Sequence, residues 1–189
     1  MKHTFRLLSG FVLAGVFFMA SCQSAPDDSK KIAEEQNEQA KDTKAAEKDA
    51  QFVVDVAAAN YAEIKWAQVA LDNSNNQEIK DIANMLLTDH QQLLNQLKDY
   101  GMQHNVSTPD SATAEAQKEA MNLAENNKGA QFNKKWCDEL LDKHEKTIAK
   151  LESASNEVVD PALKTWIADA LPKIREHRDK LMECKNKMK

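Results

Sequence analysis

The sequence predicts an all-α protein whose folded part is an up-down-up-down four-helix bundle, with a short extra helix between the second and third long helices. The chain of 189 residues has only four glycines and four prolines, so the residues that interrupt helices are scarce. Ala, Leu, Lys, Glu and Gln, which favour helices, are plentiful. Apolar residues recur every three to four positions in four long segments, as the buried face of a helix requires.

The N-terminus resembles a bacterial lipoprotein signal. A positively charged start precedes the apolar stretch Leu7 to Ala20, and small residues then lead directly to Cys22. This stretch is shorter than the ~20 residues that a membrane-spanning helix needs. We therefore expect a signal peptide over residues 1–21 and a membrane attachment through a lipid on Cys22, with ordinary secretion and a free thiol as the alternative. Because Gln23 rather than Asp follows, we expect an outer-membrane lipoprotein that faces the periplasm or the cell surface.

The next segment, residues 22–48, is polar and mixed in charge, with few large apolar residues. Such a segment cannot bury enough surface to fold alone, so we expect a flexible tether, partly helical through its Ala, Glu and Lys content. The helical domain is then expected over residues 49–189, which fits a single domain.

The first two long helices are predicted over residues 49–71 and 77–100. Their apolar stripes are Phe52, Val56, Ala59, Trp66 and Ala70 on the first, and Ile79, Ile82, Leu86, Leu93 and Leu97 on the second. The polar run 72–76 is a turn. Gly101 is expected to end the second helix, because glycine favours the position after a helix C-terminus.

The connection that follows is long and contains Thr108-Pro109-Asp110, a helix-start signal for a short helix over residues 111–125. The third long helix is predicted over residues 131–155. The fourth begins with Asp160 as N-cap and Pro161 as first helical residue, and runs to about residue 185. Pro172 lies inside it and should bend it or remove a hydrogen bond.

Each long helix carries one ionisable residue on its apolar face, namely Glu63, His90, His144 and His177. Each lies three, four or seven residues from apolar members of the same stripe, so all four should face the bundle axis. Burial without a partner costs ~2–7 kcal/mol for a polar group and more for a charge. We therefore expect these residues to pair with one another, to reach water or to hold a metal ion.

Three imidazoles and a carboxylate suit one first-row transition metal such as Zn, Cu or Fe. Asp89 and Glu176, each beside a histidine in the sequence, are candidate hydrogen-bonding partners of those ligands. A hydrogen-bonded polar layer without a metal is the alternative. Neither a di-iron centre nor oxidase chemistry is expected, because the residues three before the histidines are not glutamates but Leu87, Leu141 and Ile174.

The remaining cysteines are placed symmetrically about two of the histidines. Cys137 lies seven residues before His144, and Cys184 lies seven residues after His177. Seven residues are two helical turns, ~10.5 Å along the axis on nearly the same face. If the third and fourth helices are antiparallel, the alignment that brings His144 level with His177 also brings Cys137 level with Cys184. A disulfide and a histidine pair should therefore occur together or not at all. Export to an oxidising compartment permits the disulfide, and two unpaired cysteines on apolar faces are the alternative.

A set of runs between residues 49 and 181 carries a family resemblance: Asp49–Val53, Ala57–Ala59, Ile79–Ala83, Met85–His90, Gly129–Phe132, Leu140–Ile148 and Asp160–Lys164. Together they resemble domain-of-unknown-function family 4142, bacterial outer-membrane proteins described as ferritin-like helical bundles. The resemblance implies that fold and location, and the family has no established activity. The chain departs from the family in having Lys143 where Asp usually precedes the histidine, and in its cysteine pair.

The leading functional hypothesis is a lipid-anchored envelope protein with a non-enzymatic binding or stress-protection role. The sequence has no glycine-rich phosphate loop, serine nucleophile elbow or zinc-protease helix, which favours a non-enzymatic role. The net charge of −5 and the lack of a Lys/Arg cluster argue against nucleic-acid binding. The alternative is a mononuclear metal-binding protein for storage, buffering or sensing that uses Glu63, His90, His144 and His177.

Overall fold

The computed structural model describes residues 26–188, and over this range the chain forms six helices and no strand. The all-α prediction is therefore confirmed. The predicted signal peptide and Cys22 lie outside the described residues. The helices are α1 (Pro26–Ala40), α2 (Lys44–Asn73), α3 (Gln77–His104), α4 (Ala114–Asn126), α5 (Gly129–Glu157) and α6 (Pro161–Lys187).

Side-chain caps fix where four of the helices begin. The side chain of the N-cap residue accepts a hydrogen bond from a backbone N–H of the first turn in α2, α3, α4 and α6, where the caps are Thr43, Asn76, Thr113 and Asp160. The predicted start of the last helix at Asp160 and Pro161 is observed. Helix α6 continues through Pro172 to Lys187.

The predicted end of the second long helix at Gly101 is wrong. Helix α3 continues to His104, and Asn105 adopts the left-handed conformation that terminates it, with φ 51°. Gly101 serves a different purpose, because a Cβ atom at this position would lie 2.6 Å from the carbonyl oxygen of Val106. The glycine therefore lets the chain fold back closely over the last turn of the helix.

The described part of the expected tether differs from a free, flexible segment. Helix α1 packs against the rest of the molecule with Ala33 and Asn37 buried. The Asn37 amide donates to the carbonyl oxygen of Ser107 (2.9 Å) and accepts from the N–H of Ser107 (2.8 Å). A small residue and a hydrogen-bonded amide thus let a polar helix pack without a large apolar face.

Contacts between the long helices establish their directions. Along α2 and α5 the partners run in opposite order: Asp55 with Lys150, Glu63 with His144, Trp66 with Trp136, and Ser74 with Asn133. Along α3 and α6 the order is also opposite: Glu78 with Lys187, Asp89 with His177, and His104 with Asp160. Since α2 and α3 form a hairpin, α3 and α5 run in the same direction.

The direction order of the four long helices is therefore up-down-down-up, which corrects the predicted up-down-up-down order. The physical reason lies in the connection over residues 105–128. It contains α4, which packs on α2, and it returns the chain along the length of the molecule before α5 begins. A short turn would have forced α3 and α5 to be antiparallel, whereas this long segment does not.

The core consists of two apolar clusters with polar residues between them. One cluster lies towards the α2–α3 turn and includes Trp66, Phe132 and Trp136. The other lies towards the opposite end and includes Leu97 and Ile167. The buried histidines belong to neither cluster and lie between them. None of the helices in the described part of the chain has the length and apolar character needed to cross a lipid bilayer.

Candidate metal centre

Three buried histidines, one from each of α3, α5 and α6, meet in the middle of the core. The ring centroids lie 5.5 Å apart for His90 and His144, 5.2 Å for His90 and His177, and 5.5 Å for His144 and His177. Their relative exposures are 3%, 1% and 1%, respectively. One ring nitrogen of each histidine lies within 4.8 Å of the corresponding nitrogens of the other two. The three buried histidines can hold a metal ion.

The hydrogen bonds of Asn60 assign the tautomer of His90. The Asn60 amide nitrogen donates to the carbonyl oxygen of Val56 (2.8 Å), which directs the amide oxygen towards His90. That oxygen lies 2.9 Å from Nδ1 of His90 and can only accept, so Nδ1 carries the proton. The lone pair of His90 is consequently on Nε2.

The same reasoning assigns the tautomers of the other two rings. Nδ1 of His144 lies 2.9 Å from the carbonyl oxygen of Leu140, which accepts its proton, so the His144 lone pair is on Nε2. Nε2 of His177 lies 2.9 Å from a carboxylate oxygen of Asp89, so the His177 lone pair is on Nδ1. Each ring is therefore held by one acceptor while its other nitrogen stays available.

The three available nitrogens are Nε2 of His90, Nε2 of His144 and Nδ1 of His177. All three are buried, and none has a hydrogen-bond partner among residues 26–188. Burial and the neighbouring histidines hold the pKa of His90 well below its ordinary value. Burial also lowers the pKa of His177, although the hydrogen bond to Asp89 opposes the shift. Burial thus favours the neutral form of these two rings, which is the form that ligates a metal.

The separation of the nitrogens is compatible with one ion after a small adjustment. Zn–N bonds of ~2.0–2.1 Å in a tetrahedral site place ligand nitrogens roughly 3.4 Å apart. The observed upper limit is 4.8 Å. Closing the triangle thus needs ring movements of about 1 Å, which rotations of the side chains can supply while each ring keeps its hydrogen-bond acceptor.

Glu63, the fourth residue predicted to face the axis, lies beside the triad on α2. It is 6% exposed, and its Oε2 atom has no hydrogen-bond partner within the described part of the chain. This oxygen is 3.9 Å from Nδ1 of His144, the nitrogen that donates to Leu140. Burial raises the pKa of Glu63, while the nearby His144 and Lys143 side chains oppose that shift. The carboxyl group is therefore close to the histidines, but it is not part of the group of converging ligand atoms found among residues 26–188.

The two predicted partners of the ligands have different positions. Asp89 accepts the hydrogen bond of His177 and also contacts Nζ of Lys173 at 3.3 Å. Glu176 is exposed at the surface of α6. Asn60 is a site residue that the sequence-based prediction missed, because only ionisable residues on the apolar stripes were considered. The sequence does contain a signal for Asn60, because this polar residue lies four residues after Val56 and therefore on the same buried face of the helix.

A small cavity lies beside the triad and is lined by residues of α2, α3, α5 and α6. Its volume is about 20 Å³, and its lining includes Asn60, Glu63, His90 and His144. A cavity of this kind needs roughly 10–15 Å³ to hold one water molecule. The cavity beside the histidines can therefore hold one small molecule, and both polar and apolar side chains line it.

The structure joins Cys137 and Cys184 in a disulfide between α5 and α6, with a Cα–Cα distance of 6.3 Å. The disulfide lies on the side of the triad that faces the α2–α3 turn. His144 and His177, two turns away on the same helices, are neighbours as well. The disulfide and the histidine pair therefore occur together, in the alignment that the seven-residue spacings require.

The family comparison agrees with the resemblance noted in the sequence. The family model described as "Domain of unknown function (DUF4142)" matches residues 34–183. This is most of the chain, and the protein belongs to that family. The match includes the second half of α1, a segment that was predicted to belong to the tether. No curated protein and no solved structure matches this sequence.

Proposed function

We propose that this member of the DUF4142 family binds one first-row transition-metal ion through Nε2 of His90, Nε2 of His144 and Nδ1 of His177. The observation that carries the proposal is the grouping of three buried histidines, each of which offers a ring nitrogen within 4.8 Å of the other two. On each ring one nitrogen is hydrogen-bonded, and the other has no partner among residues 26–188. Leaving three acceptors unpaired costs about 1–3 kcal/mol each, which a cation would offset.

The chemistry of the ligands supports a mononuclear site for Zn, Cu or Fe. Neutral imidazole is a borderline ligand that suits these ions, and three imidazoles from separate helices can surround only one of them at bonding distance. Among the described residues, no carboxylate belongs to the ligand group, which argues against a di-iron centre. Storage, buffering or sensing of the metal is the role we propose, in place of a purely structural bundle.

The proposed setting is the bacterial envelope. The lipoprotein-like sequence before Cys22 supports an outer-membrane lipid anchor, and the family resemblance supports the same location. The up-down-down-up order with a long crossing connection also occurs in ferritin-like folds. We therefore propose that α2, α3, α5 and α6 form a ferritin-like four-helix bundle, held near the membrane by the anchor, with the metal in its core.

Metal titration of the purified protein tests this function. The wild-type chain should bind one Zn²⁺ per chain, measured by elemental analysis after gel filtration, and His177→Ala should abolish stoichiometric binding. His104→Ala is the matched control, because His104 is exposed at the end of α3 and should not affect binding. Far-UV circular dichroism establishes that both variants are folded. No bound metal after loading with Zn²⁺, Cu²⁺ and Fe²⁺, or equal binding in the two variants, would contradict the proposal.

A further inference from the structure

The four long helices contribute unequally to the histidine centre. Helices α3, α5 and α6 each supply one converging ring nitrogen, whereas α2 supplies none to the described ligand group. On its side of the centre, α2 instead presents Asn60 and Glu63 and borders the cavity of about 20 Å³. The cavity is lined by His90 and His144 but not by His177, so a metal held by the three histidines would lie beside it.

Glu63 is the unexplained residue of this arrangement. Its side chain is more than nine-tenths buried and lines the cavity, and none of the described residues forms a hydrogen bond with its Oε2 atom. Asn60, by contrast, uses both its amide nitrogen and its amide oxygen in hydrogen bonds. Burying a carboxyl oxygen without a partner is costly. A polar molecule within the cavity would remove that cost.

The size of the cavity limits what that molecule can be. About 20 Å³ accommodates one water molecule or a ligand of similar size, since roughly 10–15 Å³ is needed for one water. Apolar side chains close the remaining walls, among them Val56, Leu93 and Ile174. Thr147 and Trp166 also line the cavity, and Nε1–H of Trp166 has no hydrogen-bond partner among residues 26–188. Glu63 is the one carboxyl group among the lining residues, so we expect the metal and the Glu63 carboxyl to hold the molecule.

We propose that the metal centre is open towards this cavity, where one exogenous ligand of one or two heavy atoms binds both the metal and the Glu63 carboxyl. This inference rests on the proposed function. In the resting protein the ligand is water or hydroxide, and small anions can replace it. A carboxylate accepts a hydrogen bond from bound water, and a carboxylic acid donates one to a bound anion, so Glu63 can position either species.

This arrangement differs from a closed structural metal site. Structural zinc sites are filled by four protein ligands, whereas sites with three protein ligands and a solvent molecule can exchange that molecule for another ligand. The metal in this centre therefore remains available as a Lewis acid to one small molecule that fits the cavity. Glu63 is a positioning residue that acts on the exogenous ligand rather than a ligand of the metal.

Visible absorption of the Co²⁺-loaded full chain tests the proposal, because the spectrum of Co²⁺ responds to its ligands. Cyanide should shift the spectrum of the wild-type protein in a saturable 1:1 manner without releasing the metal. Thiocyanate, which is larger than the cavity, should bind at least ~10-fold more weakly. Glu63→Leu should keep stoichiometric Co²⁺ and weaken cyanide binding roughly 10–100-fold, the loss expected for one hydrogen bond to a charged group.

Two further variants keep the test independent of a single substitution. Glu63→Gln retains a hydrogen-bonding group and should rescue part of the cyanide affinity. Ala59→Val leaves Glu63 in place but fills the cavity that Ala59 lines, and should exclude cyanide while Co²⁺ still binds.

Co²⁺ bound 1:1 to the wild-type chain with no response to cyanide would overturn the open site and leave the proposed function standing. Loss of Co²⁺ itself in Glu63→Leu would also overturn it, by making Glu63 a metal ligand. A wild-type chain that binds no metal would overturn both proposals.

Discussion

Replacing Asn60 with leucine separates a metal site from a polar core layer, because Asn60 does not touch the metal position itself. Its amide oxygen holds Nδ1–H of His90 at 2.9 Å, and its amide nitrogen is held by the carbonyl oxygen of Val56. Leucine has the same branched arrangement of four side-chain heavy atoms but no acceptor. The substitution therefore frees the His90 ring to rotate and to change tautomer, while the three ring nitrogens that converge are still present.

The size of the effect follows from these contacts. Removal of a group that orients a metal-ligating histidine typically lowers metal affinity by about 10–100-fold. In the metal-free protein, the buried Nδ1–H of His90 loses its only acceptor, which costs about 1–3 kcal/mol of stability. Asn60→Leu should thus weaken Zn²⁺ binding by one to two orders of magnitude and also lower the free energy of unfolding of the metal-free protein.

Asn133→Leu provides the matched control for the loss of stability. Asn133 is also a buried asparagine, 7% exposed, and it accepts a hydrogen bond from Oγ of Ser74 at 2.7 Å. It lies eleven residues before His144 on α5, which is roughly 16 Å along the helix axis. The control should lose a similar amount of stability and keep wild-type Zn²⁺ affinity.

Competition between the protein and a fluorescent zinc chelator measures the affinity, and urea unfolding of the metal-free proteins measures the stability. The expected result is that Asn60→Leu loses affinity and Asn133→Leu does not, although both lose stability. Equal zinc affinities in the two variants would refute the role of Asn60 in orienting a ligand. The three histidines would then be better explained as part of a structural layer.

Three further predictions concern the surroundings of the site. Because the pKa values of His90 and His177 lie below the ordinary value of 6.5 in the folded state, the unfolded chain binds more protons below that pH. Stability of the metal-free protein should therefore fall in urea unfolding as the pH is lowered through about 6.5, and an unchanged stability would contradict the buried neutral rings. Asp89→Ala should lower zinc affinity about 10–100-fold by releasing the His177 ring, in the same chelator competition. Replacing Cys137 and Cys184 with alanine opens a loop of sequence separation 47 and should cost up to ~4 kcal/mol in urea unfolding, whereas unchanged stability would argue against the disulfide.

The helices and the three histidines could be predicted from the sequence for the same reason. A stripe of apolar residues at helical spacing defines the buried face, and an ionisable residue on that stripe stands out against it. The seven-residue spacings also relate the cysteines to His144 and His177 through the repeat of the helix alone. Within the described residues, these parts of the site depend on local periodicity, which the sequence records directly.

Other parts depended on information that local patterns do not contain. The direction of α5 is set by the connection over residues 105–128, whose length alone permits either direction. The position of Gly101 in the sequence suggests a helix end. The structure shows instead that a glycine is needed there because the Val106 backbone approaches closely. The contribution of Leu140 is a backbone carbonyl, which no side-chain pattern can indicate. The packing of α1 also depends on distant contacts, because the Asn37 amide is satisfied by Ser107, seventy residues further along the chain.

Anomalous X-ray diffraction from crystals of the Zn²⁺-loaded protein, recorded at the zinc absorption edge, tests the central claim most directly. We expect one strong anomalous peak per chain, at ~2.0–2.1 Å from Nε2 of His90, Nε2 of His144 and Nδ1 of His177. Density for a fourth, non-protein ligand should lie on the Glu63 side of the metal. An anomalous peak found only at surface residues, or no peak in the core of a protein loaded with zinc, would contradict the account.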